Sequence, residues 1–247
     1  MKRFVLPILL VMTPFLTQCG GELNQSQQSS ISEQKVPIIV VMGGNTSCGR
    51  DAQENDPSPY AMGMYSRVRT LIDTLRDRAG VSSQYIVSCY GESSTVVYST
   101  SSEPDKISQV NREEFTQLIE ATHRRTEQFL YLAGHSYGGW LGMKVAADLG
   151  EQIEGLFTID PISRVKCSFN KPFGCQSSPT DIPSDQRRTI QQGTEHWANF
   201  YQKQTWYLHA SSIAEADKNY KISAAHTEID TKADVWNEIY KVVSSRY

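Results

Sequence analysis

The amino-acid sequence predicts an α/β protein built on a doubly wound, mostly parallel sheet. Short runs rich in Val, Ile and Leu lack regular polar alternation, which is typical of strands buried on both faces. Amphipathic stretches with helical spacing separate most of these runs. Strands that alternate with helices form parallel sheets through right-handed crossovers, and such sheets carry their binding residues at the carboxyl ends of the strands.

The predicted strands are the apolar runs of the chain. The first, Val36-Pro-Ile-Ile-Val-Val-Met42, is continuous and rich in β-branched residues, which favour a pleated, buried surface. The later runs are shorter, and several end directly before a polar or glycine-rich turn. The six predicted strands are residues 36–42, 85–89, 129–132, 155–159, 205–209 and 220–225.

The predicted helices have apolar side chains on one face. In the first of them Met64, Val68, Leu71, Ile72 and Leu75 recur at the spacing of one helical stripe. A second stripe consists of Val110, Phe115, Leu118 and Ile119. The predicted helices are residues 61–78, 107–126, 140–149, 185–201 and 232–244.

The N-terminus has the pattern of an export signal. Lys2 and Arg3 precede a short apolar stretch, and Leu16-Thr17-Gln18-Cys19 resembles a bacterial lipobox, although Gln18 departs from the small residue usual there. We expect a signal peptide over residues 1–18, a polar, flexible tether over 19–35 and one catalytic domain over 36–247. Lipidation of Cys19 would tether the protein to the bacterial cell envelope, at the outer membrane or surface. Ordinary signal cleavage would leave a periplasmic or secreted protein.

The remaining cysteines and the charge narrow the class of protein. Four cysteines remain after Cys19, and an even number in an exported protein predicts two disulfides. Cys167 and Cys175 would close a local loop, and Cys48 would then pair with Cys89. The sequence has no C-x-x-C pair, the spacing that would indicate a zinc site. The net charge of −3 and the lack of a basic stripe exclude nucleic acid as an expected partner.

The motif that carries chemistry is Gly134-His135-Ser136-Tyr137-Gly138. It lies between a predicted strand and a predicted helix. A sharp turn at that point lifts a serine hydroxyl clear of the sheet toward a base, and the glycines avoid side-chain clashes in the turn. The motif and its context therefore predict that Ser136 is a nucleophile.

Two downstream residues complete a catalytic set, and the chain then resembles the α/β-hydrolase superfamily of lipases and esterases. Asp160 follows the next strand in Thr158-Ile159-Asp160-Pro161, and His226 lies in the turn before the last predicted helix. The resemblance covers nearly all of the chain from Val36 onward. It implies a minimal form of that fold, with about six strands and a short lid within residues 162–204. The two antiparallel strands with which the family begins have no counterpart before Val36.

The resemblance implies that His226 is the base, because the order Ser, Asp, His is that of the fold. His209 is the main rival, since it ends a predicted strand. His135 lies beside the nucleophile and is expected to point elsewhere. His123 and His196 lie in predicted helices and are expected to be solvated or to pack.

The acid has two candidates. Asp160 is placed as in pancreatic-type lipases, whereas most α/β-hydrolases carry the acid one strand later, which here would be Asp217. Asp160 is preferred because a carboxylate at an apolar strand end needs a partner. Asp230, just after the histidine, is interpreted as a helix cap.

The oxyanion hole is expected from two backbone N–H groups. One is that of Tyr137, and the other belongs to Gly44 or Asn45 in the loop after the first strand, where Gly-Gly allows close approach. This chemistry requires no metal or organic cofactor, and the sequence has no phosphate-binding glycine motif.

The function predicted from these residues is hydrolysis of carboxylic esters by an exported serine hydrolase, through an acyl-enzyme. The substrate would be a small-molecule or lipid ester, with Trp197 and Phe200 as candidate walls of an acyl pocket. Two alternatives stay open: an acyltransferase with the same triad, and a non-catalytic envelope-binding module. The sequence leaves the acyl chain length and the oligomeric state undetermined.

Overall fold

A computed structural model of the chain describes ten stretches of it. All of them belong to one compact unit, from Lys35 to Tyr247. They are residues 37–45, 59–80, 84–90, 95–100, 105–110, 112–126, 129–150, 153–162, 182–205 and 208–247.

Eight strands in this part of the chain form a single sheet. The strand order is β4-β3-β2-β1-β5-β6-β7-β8. Neighbouring strands in the part β2-β1-β5-β6-β7-β8 are parallel, whereas β3 pairs antiparallel with both β2 and β4 at one edge. The predicted mostly parallel sheet is thus confirmed. The strands are β1 (Pro37–Asn45), β2 (Gln84–Tyr90), β3 (Thr95–Thr100), β4 (Asp105–Val110), β5 (Phe129–His135), β6 (Gly155–Ile159), β7 (Trp197–Tyr201) and β8 (Lys218–Lys221).

Helices cover both faces of the sheet, as a doubly wound fold requires. Along β1, Ile39 and Val41 pack with apolar residues of α1 and α5, whereas Val40 and Met42 pack with those of α2, α3 and α4. Because each face of β1 packs against a layer of helices, residues on both faces of this strand are apolar. The helices are α1 (Pro59–Ala79), α2 (Arg112–Thr126), α3 (Tyr137–Leu149), α4 (Ser184–Gly193) and α5 (Ala233–Ser244).

The predicted helix over residues 107–126 begins too early. Residues 107–110 belong to β4, which forms an antiparallel hairpin with β3, and helix α2 begins only at Arg112. Glu113 and Glu114 lie in the first turn of α2, where acidic side chains stabilise a helix N-terminus. The β3–β4 hairpin is an antiparallel pair that the sequence did not predict, and it follows β2 in the chain.

The predicted helix over residues 185–201 is also wrong in its second half. Helix α4 ends at Gly193, and the run Trp-Ala-Asn-Phe-Tyr that follows is the buried strand β7. Aromatic residues favour strands, and here tertiary packing between β6 and β8 decides the conformation. The described residues of the predicted strand 205–209 are irregular instead. Six parallel strands are therefore present, but the fifth of them lies earlier than predicted.

Several predictions fall outside the described residues. They concern the signal peptide, the tether, lipidation of Cys19, the disulfides of Cys48, Cys89, Cys167 and Cys175, and residues 163–181 of the predicted lid segment. Of Cys89 the structure describes only the backbone, in β2. These and the domain boundaries stay predictions.

A separate observation concerns membrane spans. Within the ten described stretches, no helix has the length and apolar character needed to cross a membrane.

Candidate active site

The carboxyl edge of the sheet collects the polar residues that the sequence singled out. Ser136 directly follows β5, and Asp160 directly follows the neighbouring strand β6. His226 lies in the turn that follows β8, at the same edge. Gly44 lies at the end of β1, which pairs with β5. The strand order therefore brings together residues that are far apart in the sequence.

The turn at Ser136 has the strained backbone expected of a nucleophile elbow. Its φ is 56° and its ψ is −124°, a conformation that non-glycine residues rarely adopt. Both motif glycines are required by close packing: a Cβ at Gly134 would lie 2.2 Å from the carbonyl oxygen of Gly138. A Cβ at Gly138 would lie 2.1 Å from the carbonyl oxygen of Met42. The elbow therefore packs closely against β1 and against the first turn of α3.

A chain of hydrogen bonds joins Ser136, His226 and Asp160. The Oγ of Ser136 lies 2.9 Å from Nε2 of His226, and Nδ1 of His226 lies 2.7 Å from Oδ2 of Asp160. Because a carboxylate only accepts, Nδ1 carries the proton in this arrangement and Nε2 is left free to accept from the serine hydroxyl. The geometry is that of a nucleophile, a base and the acid that orients the base.

Asp160 is fully buried, and both oxygens of its carboxylate accept hydrogen bonds. Oδ1 accepts from the backbone N–H of Ala210 at 2.6 Å and from that of Gln202 at 3.4 Å. Oδ2 accepts from the side-chain amide of Gln202 at 2.7 Å as well as from His226. Desolvation of a carboxylate is costly unless hydrogen bonds replace water, and these donors replace it.

Asp217, the other candidate acid, lies at the opposite edge of the sheet. Its Oδ2 accepts from the backbone N–H of Trp197 at 2.7 Å, and Trp197 is the first residue of β7. Asp217 became a candidate because the fifth strand was predicted at residues 205–209. In the structure that strand is β7, which ends at Tyr201, so the residue directly after it is Gln202. Trp197 and Phe200 are themselves buried strand residues, on opposite sides of the sheet.

The other candidate bases have different partners. His209 contacts the backbone oxygen of Thr205 through Nδ1 at 3.2 Å. His196 lies 3.7 Å from Glu238, and burial lowers its pKa. His123 is half-buried in α2, on the other side of the sheet from α1 and α5.

His135 contacts the candidate base, which the sequence did not predict. Its ring lies 4.8 Å from the ring of His226, and its Nε2 donates to the backbone oxygen of His226 at 2.8 Å. Burial, with repulsion from His226, lowers the pKa of His135 to about 3. A neutral His135 adds no positive charge beside the imidazole that must take up a proton.

Asp230 is a buried neighbour of that pair rather than the predicted helix cap. It lies in the 3-10 turn Ile229–Thr231, and the N-terminal cap of α5 is Lys232. Its Oδ2 lies 3.8 Å from Nδ1 of His135, and burial raises its pKa to about 6. No local sequence pattern indicates this contact, because it depends on how the turn after His226 folds back.

Gln202 is the second residue that sequence reasoning missed. It follows β7 directly and hydrogen-bonds to Asp160. Part of the sequence signal for β7 is visible: glycine, here Gly193, commonly ends a helix, and the aromatic run that follows favours a strand. That reading would have placed Gln202 at the carboxyl edge.

Two of the residues predicted to donate to the oxyanion, Tyr137 and Gly44, lie next to the serine. Tyr137 is the first residue of α3, directly after Ser136. A Cβ at Gly44 would lie 2.7 Å from Cβ and 3.2 Å from Oγ of Ser136, so the backbone of β1 passes close to the nucleophile. The β1–β2 ladder is irregular between Met42 and Asn45, which is where Gly43 and Gly44 leave regular pairing. The assignment of the two N–H donors stays a prediction.

No metal site accompanies these residues in the described stretches, where no three His, Cys, Asp or Glu side chains are grouped to hold an ion.

The fold and the site together define a class. A serine on a strand-to-helix elbow, followed in the chain by an acid and then a histidine, is the arrangement of the α/β-hydrolase fold. The present chain has a minimal form of that fold, extended by the β3–β4 hairpin.

Comparison with known proteins gives matches among solved structures. No protein-family model matches the sequence, and no curated protein matches it. The product of gene lin2722 from Listeria innocua is 12% identical, with a TM-score of 0.48 over 85% of this chain and 94% of that one. The ydeN gene product from B. subtilis is 12% identical, with a TM-score of 0.47 over 85% and 100%. A monoacylglycerol lipase from Paleococcus ferrophilus is 14% identical, with a TM-score of 0.44 over 85% and 92%. No substrate follows from superpositions of this extent.

Proposed function

We propose that this protein is a serine hydrolase that cleaves carboxylic esters through an acyl-enzyme. The observation that carries the proposal is the unbroken hydrogen-bonded chain from Asp160 through His226 to Ser136, with the serine on a strained elbow. A binding module has no need of this geometry, because neither the strain nor the buried carboxylate would serve recognition.

The first half of the reaction forms an ester on Ser136. The Oγ attacks the substrate carbonyl carbon while Nε2 of His226 takes the hydroxyl proton. Asp160 accepts the Nδ1–H of His226 throughout and stabilises the imidazolium that forms. When the tetrahedral intermediate collapses, the imidazolium returns the proton to the departing alkoxide, and the alcohol leaves.

The second half reverses these roles with water. His226 takes a proton from water, hydroxide adds to the acyl carbon, and the proton then returns to Oγ as the carboxylic acid leaves. If an alcohol takes the place of water, the same residues catalyse acyl transfer. Hydrolysis is proposed because water, unlike an alcohol acceptor, needs no second binding site.

Developing negative charge on the carbonyl oxygen needs preorganised donors. We assign this role to the N–H of Tyr137 and to the N–H of Gly44 or Asn45. Two features support the assignment: Tyr137 begins α3, where the helix dipole favours negative charge, and Gly44 passes close to Ser136.

We also propose that the protein is exported and anchored at the cell envelope through Cys19. The support is the N-terminal sequence pattern alone. The test is expression of the full chain and of Cys19→Ser in a bacterium, followed by fractionation and labelling with a palmitate analogue. A labelled, membrane-associated wild type with an unlabelled, released variant is expected. Equal release of both proteins would overturn the anchor.

The experiment for the hydrolase is a series of nitrophenyl esters from short to long acyl chains. The wild-type domain should turn over part of the series, and Ser136→Ala should lower kcat on the order of 10⁶-fold. Ser66→Ala, an exposed serine of α1, is the matched control and should leave kcat unchanged. Equal rates for wild type and Ser136→Ala would overturn the proposal.

A further inference from the structure

The amide of Gln202 is buried and uses its entire hydrogen-bonding capacity. Its Nε2 donates to Oδ2 of Asp160 at 2.7 Å and to the backbone oxygen of Leu208 at 2.6 Å. Its Oε1 accepts from the backbone N–H groups of Gln204 at 2.7 Å and Thr205 at 2.8 Å. An amide offers two donor hydrogens and two lone pairs, so all four are occupied.

These bonds connect the acid with the backbone segment that also contacts the base. Thr205, held by Oε1 of Gln202, accepts through Oγ1 from the backbone N–H of His226 at 3.1 Å. Ala210, two residues beyond Leu208, donates to Oδ1 of Asp160 at 2.6 Å. A single side chain thus fixes the carboxylate directly and the histidine backbone through one intermediate residue.

We propose that Gln202 is a positioning residue that holds Asp160 and His226 in their catalytic geometry. The proposal rests on the hydrolase function proposed above. A neutral amide suits this position. It donates to Oδ2 without adding a charge that would compete with the imidazolium of His226 for the carboxylate. A lysine would supply such a competing charge, and a carboxylate would repel Asp160.

The substitution Gln202→Glu separates the effect of hydrogen bonding from that of packing. Glutamic acid has nearly the same shape as glutamine, but its carboxyl group can lose a proton. The titratable groups around this side chain are Asp160, His226 and, beyond Thr205, His209. Repulsion from Asp160 raises the pKa of a glutamate placed there. When protonated, the glutamate can still donate to Oδ2; when ionised, it can only repel it.

The expected result is a kcat ratio of Gln202→Glu to wild type that falls as the pH rises. The ratio should be near one at about pH 5 and about 10- to 100-fold lower at about pH 8, with KM little changed, because misplacement of catalytic groups by about 1 Å can lower the rate by about 100-fold. Gln202→Met, which fills similar space without hydrogen bonds, should lower kcat by a similar factor at every pH.

The matched control is Gln204→Glu. Gln204 lies two residues away, and its side chain is exposed and bonded to Oγ of Ser223. This variant should match wild type in kcat, KM and pH profile. Thermal unfolding of all variants checks that each is folded at the temperature of the assay.

A measurement without turnover distinguishes this proposal from the hydrolase function. The Nδ1–H proton of His226 should give a downfield proton NMR resonance in the wild type and in Gln204→Glu. The resonance should shift with pH in Gln202→Glu and be displaced in Gln202→Met. If the wild type is inactive but the resonance responds in this way, the positioning role stands and the hydrolase fails. If both Gln202 variants are folded and keep the wild-type kcat and resonance, the positioning role is overturned, whatever the substrate.

Discussion

Ser136 and Asp160 both have a positive φ. They are the non-glycine residues with positive φ among those that the structure describes, and they follow neighbouring strands. Such conformations cost on the order of 1–3 kcal/mol each and persist only where the surroundings hold them. The N–H of Ser136 donates to the oxygen of Ile159 at 2.9 Å, and that of Asp160 to the oxygen of Phe200 at 2.6 Å. The strain is therefore concentrated at the proposed nucleophile and acid.

The residue-scale prediction concerns the choice between the two candidate acids. Asp160→Asn should lower kcat by about 10⁴-fold with little change in KM, because an amide can donate to Nδ1 and stabilise the wrong imidazole tautomer. Asp217→Asn is the control, since Asp217 bonds only the start of β7 among the contacts described for it. Steady-state ester hydrolysis measures both. A large loss in Asp217→Asn with none in Asp160→Asn would reverse the assignment.

The sequence pointed to Ser136, Asp160 and His226 because a local motif and the chain order are visible without a structure. Gln202 and His135 were not predicted as contacts of the acid and the base. The role of Gln202 depends on where β7 ends, and that strand was assigned to a helix. The role of His135 depends on the direction of its ring and on the turn after β8, neither of which has a local sequence signal.

At the scale of elements, continuous apolar runs were predictable and short mixed ones were not. β1, β5 and β6 are buried on both faces, so their composition alone indicated strands. The β3–β4 hairpin lies at the sheet edge and has polar residues throughout, and β7 carries an internal asparagine. Their conformation is set by pairing with neighbours, which single-sequence patterns do not contain.

That internal asparagine, Asn199, ties β7 to both neighbouring strands. Its Oδ1 accepts from the hydroxyl of Thr158 in β6 at 3.0 Å. Its Nδ2 donates to the side chain of Asn219 in β8 at 2.8 Å and to the backbone oxygen of Ser211 at 2.9 Å. Both polar atoms of this buried side chain are therefore hydrogen-bonded, and such bonds between strands favour one strand order and register.

The element-scale prediction follows from this network. Asn199→Ala should lower the free energy of unfolding by about 2–4 kcal/mol, because it removes three hydrogen bonds of a buried side chain and leaves the buried hydroxyl of Thr158 without its acceptor. Urea denaturation measures the loss. Asn237→Ala, at an exposed position of α5, is the control and should change stability little. Equal stability of the two variants would show that the network contributes nothing net.

For the whole molecule, two buried groups beside the site make stability depend on pH in opposite directions. Burial lowers the pKa of His135 from 6.5 to about 3, so its contribution is present above pH 6.5 and is lost as the pH falls toward 3. Burial raises the pKa of Asp230 from 3.8 to about 6, so its contribution is present below pH 3.8 and is lost as the pH rises through 6. The larger shift belongs to His135, and acid should therefore destabilise the fold.

The whole-molecule prediction is that His135→Gln reduces this acid sensitivity. Glutamine keeps a donor for the backbone oxygen of His226 but has no proton to gain. One pKa unit corresponds to about 1.4 kcal/mol, so relative to wild type the variant should gain up to a few kcal/mol between about pH 8 and about pH 4. Chemical denaturation across that range measures the gain. Parallel stability curves for the two proteins would contradict the buried, neutral state of His135.

The most direct test of the proposed hydrolase is covalent labelling of Ser136. The wild-type domain is incubated with a fluorophosphonate, which reacts with activated serines, and intact mass and peptide mapping locate the adduct. We expect one adduct on Ser136, none on Ser136→Ala, and a labelling rate that falls by orders of magnitude in His226→Ala. An unreactive wild type under conditions that label a known serine hydrolase, or an adduct on another residue, would contradict the central claim.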